Sequence, residues 1–275
     1  MYKASLIISV YKNITFLKAV LDSLNYQTEN SFEIIITEDG EDVSMRDFIA
    51  NYNFKHDYQH LTQEDLGWRK NKALNNAIRA ARTEWLIFID GDCVLHPRFI
   101  EMHVRNAGEN LILAGKRVKL NEKISTSLLC HPTILTQIQS LIAKNLIVKE
   151  KGLSFVEEGI YISPDGIFGW IPKMRKLNHL KGCNMSFSKK AIEAINGFDE
   201  DYVLPAVGED ADLTWRFSEA GYSLKSVRNM AVQYHLYHKE SWTNQEENLK
   251  LMAKKQANRE FICKNGLTKL FNHDL

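Results

Sequence analysis

Trp85-Leu86-Ile87-Phe88-Ile89-Asp90-Gly91-Asp92 is a short apolar run that stops at two acids separated by one glycine. With Thr83-Glu84 before it and Gly91 after it, the run reads as a buried strand. A strand buried on both faces is typical of a parallel sheet covered by helices. In open sheets of that kind ligands bind at the carboxyl ends of the strands, which is where Asp90 and Asp92 fall. Hard oxygen ligands held close together suit Mg²⁺ or Mn²⁺, ions that usually share their shell with substrate phosphates. Gly91 would let the backbone turn and come close to a bulky ligand. The competing reading of an isolated Asp-x-Asp is a solvated turn.

Upstream, the same alternation repeats. Leu6-Ile7-Ile8-Ser9-Val10 reads as the first strand and Tyr11-Lys12-Asn13 as its turn. Phe16, Leu17, Val20, Leu21 and Leu24 follow at helical spacing. Phe32–Thr37 is a second strand ending in Glu38-Asp39-Gly40, followed by a helix through Met45, Phe48, Ile49 and Tyr52. A weaker strand lies near His60-Leu61-Thr62. Asp65-Leu66-Gly67-Trp68-Arg69 then leads into a helix carrying Ala73, Leu74, Ala77, Ile78 and Ala81. Strands alternating with helices argue for βαβ units with right-handed crossovers. Asp39 closes the second strand as Asp90 closes the fourth, a place where an acid can meet ribose hydroxyls or a base N–H. A plain Asp-Gly turn would look the same. No GxGxxG follows the first strand, which argues against a dinucleotide site.

Downstream, Leu111–Arg117 is strand-like, and regularity weakens from Asn121 to Lys176. A helix through Ile134, Ile138, Leu141 and Ile142 fits the spacing there. Ser163–Pro172 is rich in turn signals, as binding loops often are. Trp170 in it could stack on a sugar ring or simply anchor the loop. Lys181–Ser188 alternates as a strand, and a helix opens at Gly208-Glu209-Asp210. Acids in a first turn complement the helix dipole; a carboxylate held there can also act as a general base. Short strands around Ser223–Val227 and Ala231–Tyr234 precede His235-Leu236-Tyr237-His238. A last helix spans Asn244–Lys264, with Leu249, Met252, Ala253, Ala257 and Phe261 on one face.

The 275 residues can bury a full core. With 35 basic and 34 acidic residues the net charge is +1, which gives no support to nucleic-acid binding. Cys93, Cys130, Cys183 and Cys263 show no CxxC spacing and read as reduced thiols. The N-terminus lacks the marks of a signal peptide, and no apolar run is long enough to span a bilayer. The expectation is a cytoplasmic protein.

Taken in order, Ser9-Val10-Tyr11, Glu38-Asp39-Gly40, Asp65–Arg69, Asp90-Gly91-Asp92, Gly182-Cys183-Asn184, Asn196–Glu200 and Gly208-Glu209-Asp210 resemble the family 2 glycosyltransferases of the GT-A fold. The C-terminal part is similar to the galactosyltransferase-like and chondroitin-polymerase-like branch. The resemblance runs from Ser5 to about His238. It implies a Rossmann-like, mostly parallel central sheet flanked by helices, with an irregular acceptor-side insertion. Residues 1–240 would form the catalytic domain, split into a nucleotide-binding half (1–118) and an acceptor half (119–240), with 241–275 a helical extension. The resemblance further implies a nucleotide-sugar donor, a UDP-sugar above all, a divalent Mn²⁺ or Mg²⁺, and inversion at the anomeric carbon. A glycan or lipid-linked acceptor in polysaccharide or lipopolysaccharide synthesis would receive the sugar.

Residue by residue, the resemblance assigns Ser9, Tyr11 and Asp39 to the nucleotide, and Asp65 and Arg69 to the border of base and diphosphate. Asp92 looks like the direct metal ligand, with Asp90 and Gly91 at the ribose or donor sugar. His235 matches a further metal ligand, and His238 is its substitute. Asp210 matches the catalytic base and Glu209 an acceptor-hydroxyl contact, while Asn184 and Trp170 would line the acceptor or sugar pocket, Asn184 on the donor side and Trp170 at the acceptor. Where many members carry an Arg-Asn pair, this chain has Leu74-Asn75, which removes a charged donor contact at position 74.

Two rival readings stay open at this stage, a sugar nucleotidyltransferase and a non-catalytic nucleotide- or carbohydrate-binding domain. Val10–Asn13 is not the glycine-rich basic loop of the first, and the intact Asp90, Asp92 and Asp210 argue against the second. Lys250, Lys254, Lys255, Arg259 and Lys264 could bring the last helix to an anionic membrane surface, where a lipid-linked acceptor resides, or form a solvated face.

Overall fold

Along β1 (Ala4–Val10), Leu6, Ile8 and Val10 join one apolar core while Ile7 joins another. The strand is therefore buried on both sides, and a helical layer must cover each. The computed structural model describes residues 2–131, 135–148, 150–205, 207–239 and 244–270. Helices α1 (Ile14–Leu24), α2 (Val43–Asn51) and α4 (Phe99–Asn106) pack on the first face. Helices α3 (Lys70–Ala80), α8 (Lys189–Ala194) and α9 (Asp210–Glu219) pack on the second.

The strands between them are β2 (Phe32–Glu38), β3 (Tyr58–Leu61), β4 (Trp85–Asp90), β6 (Leu111–Ala114), β8 (Met185–Ser188) and β9 (Ser223–Ser226). With β1 they form a sheet in the order β3-β2-β1-β4-β8-β6-β9. Pairing is parallel except around β8, which runs antiparallel to both β4 and β6. The mostly parallel α/β architecture expected from the alternation is thus the architecture found.

A second, three-stranded sheet has the order β5-β10-β7, from β5 (Cys93–Leu95), β10 (Gln233–His235) and β7 (Val118–Lys119). It shares a small core with α5 (Glu122–Cys130) and α6 (Ile138–Val148). The expected helix through Ile138, Leu141 and Ile142 is α6; Ile134 lies outside the described residues. Sequence periodicity did not reveal β5, because three residues carry no usable period. The strand expected over Leu111–Arg117 ends at Ala114. There the Asn184 side chain fills the space a Cβ of residue 115 would need, and Gly115 N–H donates to the Asn184 carbonyl at 2.9 Å.

The last helix is shorter than expected, α10 (Glu246–Ala257), and it docks by a different face. Asn248 and Lys255 are its buried residues, whereas Leu249, Ala253 and Ala257 are exposed. Lys255 forms ion pairs with Asp199 and Asp201, and Asn248 donates to the Leu204 carbonyl at 2.9 Å. Polar anchors, not an apolar stripe, hold α10 to the α/β unit. Lys255 cannot face a membrane, and Arg259 is paired with Glu219 at 2.9 Å. Among the described residues no helix is long and apolar enough to cross a membrane.

Candidate active site

The strand order reverses at β1, which has β2 on one side and β4 on the other. A crevice opens at such a switch point, at the carboxyl ends of the strands. Parallel register sets Ser9 of β1 beside Asp90 of β4. Gly91 then bends back so that its N–H donates to the Ser9 carbonyl at 2.8 Å. A Cβ at Gly91 would lie 2.7 Å from Val10 Cγ1, so the position is glycine because β1 itself approaches, not because a ligand does. A cavity of about 570 Å³ fills this crevice, lined by Ser9, Tyr11, Asp39, Trp68, Asp90, Gly91, Asp92 and His238. It brings together most of the residues assigned to the nucleotide side.

Asp92 is where the two sheets meet. β10 pairs antiparallel with β5 in a register that sets His235 opposite Cys93, and Leu236 N–H donates to the Asp92 carbonyl at 2.9 Å. That register delivers the His235 ring to the acid. Asp92 Oδ2 lies 3.2 Å from His235 Nε2 and 3.2 Å from His238 Nε2, while Cys93 Sγ donates to Oδ1 at 3.2 Å. Burial alone would raise the Asp92 carboxyl; the two histidines outweigh it and hold the group far below the usual carboxylate range. One carboxylate and two imidazoles converge with all donor atoms within 4.8 Å of one another. Such a mixed oxygen and nitrogen set fits a divalent transition metal. The sequence offered His235 or His238; the structure brings both.

On the far side of Asp90 a second cavity of about 580 Å³ is lined by Asp90, Glu209 and Asp210 together with Lys116, Arg117, Lys119, Lys181 and Phe155. Lys70, at the start of α3, stands between the two cavities. Its Nζ donates to Asp90 Oδ1 at 2.7 Å and to Glu209 Oε1 at 2.9 Å. Burial pushes the Glu209 carboxyl up to about 7; Lys70 opposes that shift, and Asp90 and Asp210 add to it. Glu209 lies so close beneath Gly182 that a Cβ there would coincide with the carboxylate. This explains the Gly182-Cys183 pair as packing. Asp210 opens α9 with its carboxylate toward the cavity and Lys181 Nζ at 3.9 Å.

Other expected site residues are placed differently. The Asp39 carboxylate lines the first cavity but is already engaged by Gln63 Nε2 at 2.6 Å and the Arg69 backbone N–H at 2.7 Å, fixing the start of α3. The Arg69 guanidinium turns back to the Glu64 carbonyl. Asp65 is paired with Lys12 at 2.6 Å and lies within reach of the Tyr11 hydroxyl at 3.4 Å, forming a bridge at the mouth of the cleft. Asn184 lines neither cavity. It is fully buried, donating to the Lys116 and Ala231 carbonyls at 2.9 and 3.0 Å while its oxygen meets His103 Nε2 at 3.0 Å. Trp170 is exposed at the start of a short helix, α7 (Trp170–Met174), and lines neither cavity. Phe155 is the aromatic ring at the second cavity instead. Lys70, Arg117 and Lys181 were missed: a basic residue at a helix start or in a connecting segment carries no spacing signal.

A mostly parallel sheet with a switch-point cleft, an acid–histidine cluster on one side and helix-borne acids on the other, is the GT-A fold. The chain belongs to the glycosyl transferase family 2, whose family model matches residues 5–151. A second model, described as the N-terminal domain of galactosyltransferase, matches residues 173–239. Chondroitin synthase of Escherichia coli is 23% identical over 84% of this chain and 34% of its own length. Hyaluronan synthase of Pasteurella multocida is 25% identical over 84% of this chain and 24% of its own. The chain therefore spans about a third or less of the length of these curated relatives. Among solved structures, S. aureus TarS 1–349 in complex with UDP-GlcNAc has a TM-score of 0.60 at 14% identity, covering 94% of this chain and 67% of that one. The mannosyltransferase PcManGT from Pyrobaculum calidifontis, in complex with GDP-Man and Mn²⁺, has 0.55 at 14% identity, with 94% and 62% covered. These likenesses share the fold. Membership of the family sets aside the nucleotidyltransferase reading.

Proposed function

We propose that the protein is an inverting, metal-dependent glycosyltransferase. It would move a sugar from a nucleotide-sugar donor, a UDP-sugar, to a hydroxyl of a glycan or lipid-linked acceptor in polysaccharide or lipopolysaccharide synthesis. It would work in the cytoplasm or at the cytoplasmic face of the membrane. The observation that carries this reading is the convergence on Asp90 of two cavities. One is lined by Asp92 and His238 of the Asp92–His235–His238 cluster, and the other by Asp210. The names of the synthases it resembles and the UDP-GlcNAc complex of a fold neighbour support the donor class.

Ser9, Tyr11 and Asp39 would seat the nucleoside, and Asp92, His235 and His238 would hold a Mn²⁺ or Mg²⁺ ion. When bound, that ion supplies charge neutralisation to a departing diphosphate. The remaining work falls to the chain's own side chains. Lys70 holds Asp90 and Glu209 at fixed positions across the cleft. Asp210 takes the proton from the acceptor hydroxyl as its oxygen attacks the anomeric carbon. The base reaches the sugar from the cavity opposite the nucleotide. A single displacement from that side inverts the configuration. The test is to screen UDP-sugars for UDP release with and without Mn²⁺. Release that requires the metal and rises with acceptor is expected. No release from any UDP-sugar under either condition would refute the proposal.

A further inference from the structure

Four large apolar side chains project from one short stretch outside both cavities. Ile167 is 90% exposed, Met174 70%, Phe168 62% and Trp170 57%. All four lie in the loop before α7 or on α7 itself. The loop is fastened at its base. Asp165 accepts two hydrogen bonds from the Arg105 guanidinium, at 2.8 and 3.0 Å, and Arg175 pairs with the buried Glu158 at 3.2 Å. Turns close the tip. Gly166 N–H donates to the Ser163 carbonyl at 3.1 Å, Gly169 to Gly166 at 2.9 Å and Ile171 to Phe168 at 2.9 Å. A tip that pairs its own backbone donors can leave water at low cost.

Apolar surface concentrated in this way marks a contact, and its form selects the occupant. Four large side chains exposed to this degree present roughly 600 Å², short of the ~800 Å² that each partner brings to a stable protein interface. Side chains that project this far suit insertion among lipid headgroups. Charge agrees. From Ser163 to Lys181 there are four basic residues, Lys173, Arg175, Lys176 and Lys181, against the one acid Asp165, a net +3 in a chain of net +1. Lys173 and Lys176 are exposed where the apolar stretch ends. A basic flank on an apolar, tryptophan-bearing tip is complementary to an anionic bilayer surface. We propose that Ile167, Phe168, Trp170 and Met174 dip into the headgroup layer of an anionic membrane while Lys173 and Lys176 hold its surface. The α7 segment thus makes the contact, and not α10, whose Lys255 is engaged by Asp199 and Asp201. Lys181, at the wall of the cavity that holds Asp210, follows Met174 by seven residues, at most about 25 Å of chain. Docking therefore brings the bilayer close to the cavity that would take a lipid-linked acceptor. That last step rests on the assignment of Asp210 to the acceptor; the docking itself does not.

The experiment sediments the full chain with vesicles of phosphatidylcholine alone and of phosphatidylcholine mixed with phosphatidylglycerol. Binding to the anionic vesicles should be at least about tenfold tighter, the scale of two lysines near such a surface. Ile167→Ser combined with Phe168→Ser should weaken it by about tenfold or more, since two inserted side chains are lost. Lys173→Glu combined with Lys176→Glu should erase the preference for anionic lipid. Bilayers with brominated acyl chains should quench tryptophan fluorescence in the parent and quench it less in Trp170→Phe. A UDP titration that matches the parent shows that each variant is folded. No binding to either vesicle overturns the inference, as does binding that survives the serine pair or quenching that is undiminished in Trp170→Phe. So does a dimer in sedimentation velocity that the serine pair dissociates, since a second copy then covers the patch. Vesicle binding by a chain that releases no UDP from any UDP-sugar refutes the transferase reading and leaves the docking standing.

Discussion

Asp90 and Glu209, on opposite walls of the cleft, are joined through one ammonium group, that of Lys70. Asp90 ends β4 between the two cavities, and Glu209 is the N-cap residue of the helix that carries Asp210. The lysine therefore ties the two halves of the site together electrostatically. Removing it leaves two partly buried carboxylates facing each other.

Lys70→Met should lower transfer by about a hundredfold or more, because Asp90 and Glu209 lose the ammonium that fixes their positions across the cleft. It should also move the pH profile. Lys70 pulls down a Glu209 carboxyl that burial has raised to about 7. Without the lysine that carboxyl rises further, so the acidic limb of the rate profile shifts to higher pH. A pH-rate series of the variant that shows the parent's limb would remove Lys70 from the site.

Asp210→Asn keeps the shape of the first turn of α9 and removes only the proton acceptor. Transfer to acceptor should fall by about a hundredfold to ten-thousandfold, the usual contribution of a general base. Donor binding should hold, since Asp210 faces the second cavity and not the nucleotide side. Steady-state transfer and a UDP titration separate the two quantities. Transfer within about tenfold of the parent would assign the base elsewhere.

His235 and His238 reach Asp92 at the same distance, 3.2 Å, from different settings. His235 is buried on β10, and His238 lies on the exposed segment beyond it. Asp92→Ala should abolish Mn²⁺-dependent donor binding. His235→Ala and His238→Ala should each weaken Mn²⁺ binding by about tenfold or more. Calorimetric Mn²⁺ titrations in the presence of UDP measure all three. A His238 variant with the parent's Mn²⁺ affinity would reduce the cluster to Asp92 and His235.

The first half of the sheet, β1 to β4, was legible because its signals are local. Apolar runs ending at Asp39 and Asp90 mark strands, and strand ends mark the cleft. The join between the sheets was not. Whether His235 or His238 meets Asp92 depends on the register of β10 against β5, and β5 is too short to announce itself. Asn184 was placed in the sugar pocket because its motif follows the family's order. The structure gives all of its hydrogen-bonding capacity to Lys116, Ala231 and His103. Sequence order can show that a residue matters without showing whether it meets the ligand or holds the wall behind it. Lys70 fails in the opposite sense, since an ordinary lysine at a helix start gains its meaning from two acids distant in the chain.

The His103 partner of Asn184 makes stability depend on pH. His103 is fully buried, with Nδ1 at 2.8 Å from the Ser186 hydroxyl and Nε2 at 3.0 Å from the Asn184 oxygen. Burial lowers its pKa to about 4, with the Asn184 hydrogen bond opposing only in part. In the unfolded chain the ring titrates at its ordinary 6.5. Between those values the unfolded state binds the extra proton, so folding stability rises with pH there and is lost as pH falls below 6.5. By pH 5 this one ring should have cost about 2 kcal/mol relative to pH 7. His96, also lowered to about 4 by burial, adds in the same direction. Urea unfolding at pH 7 and pH 5 should show the loss. His103→Gln, which keeps a donor and an acceptor but cannot titrate, should shrink the difference between the two pH values even though its own stability is lower. An unchanged difference in that variant would mean that other groups set the acid limb.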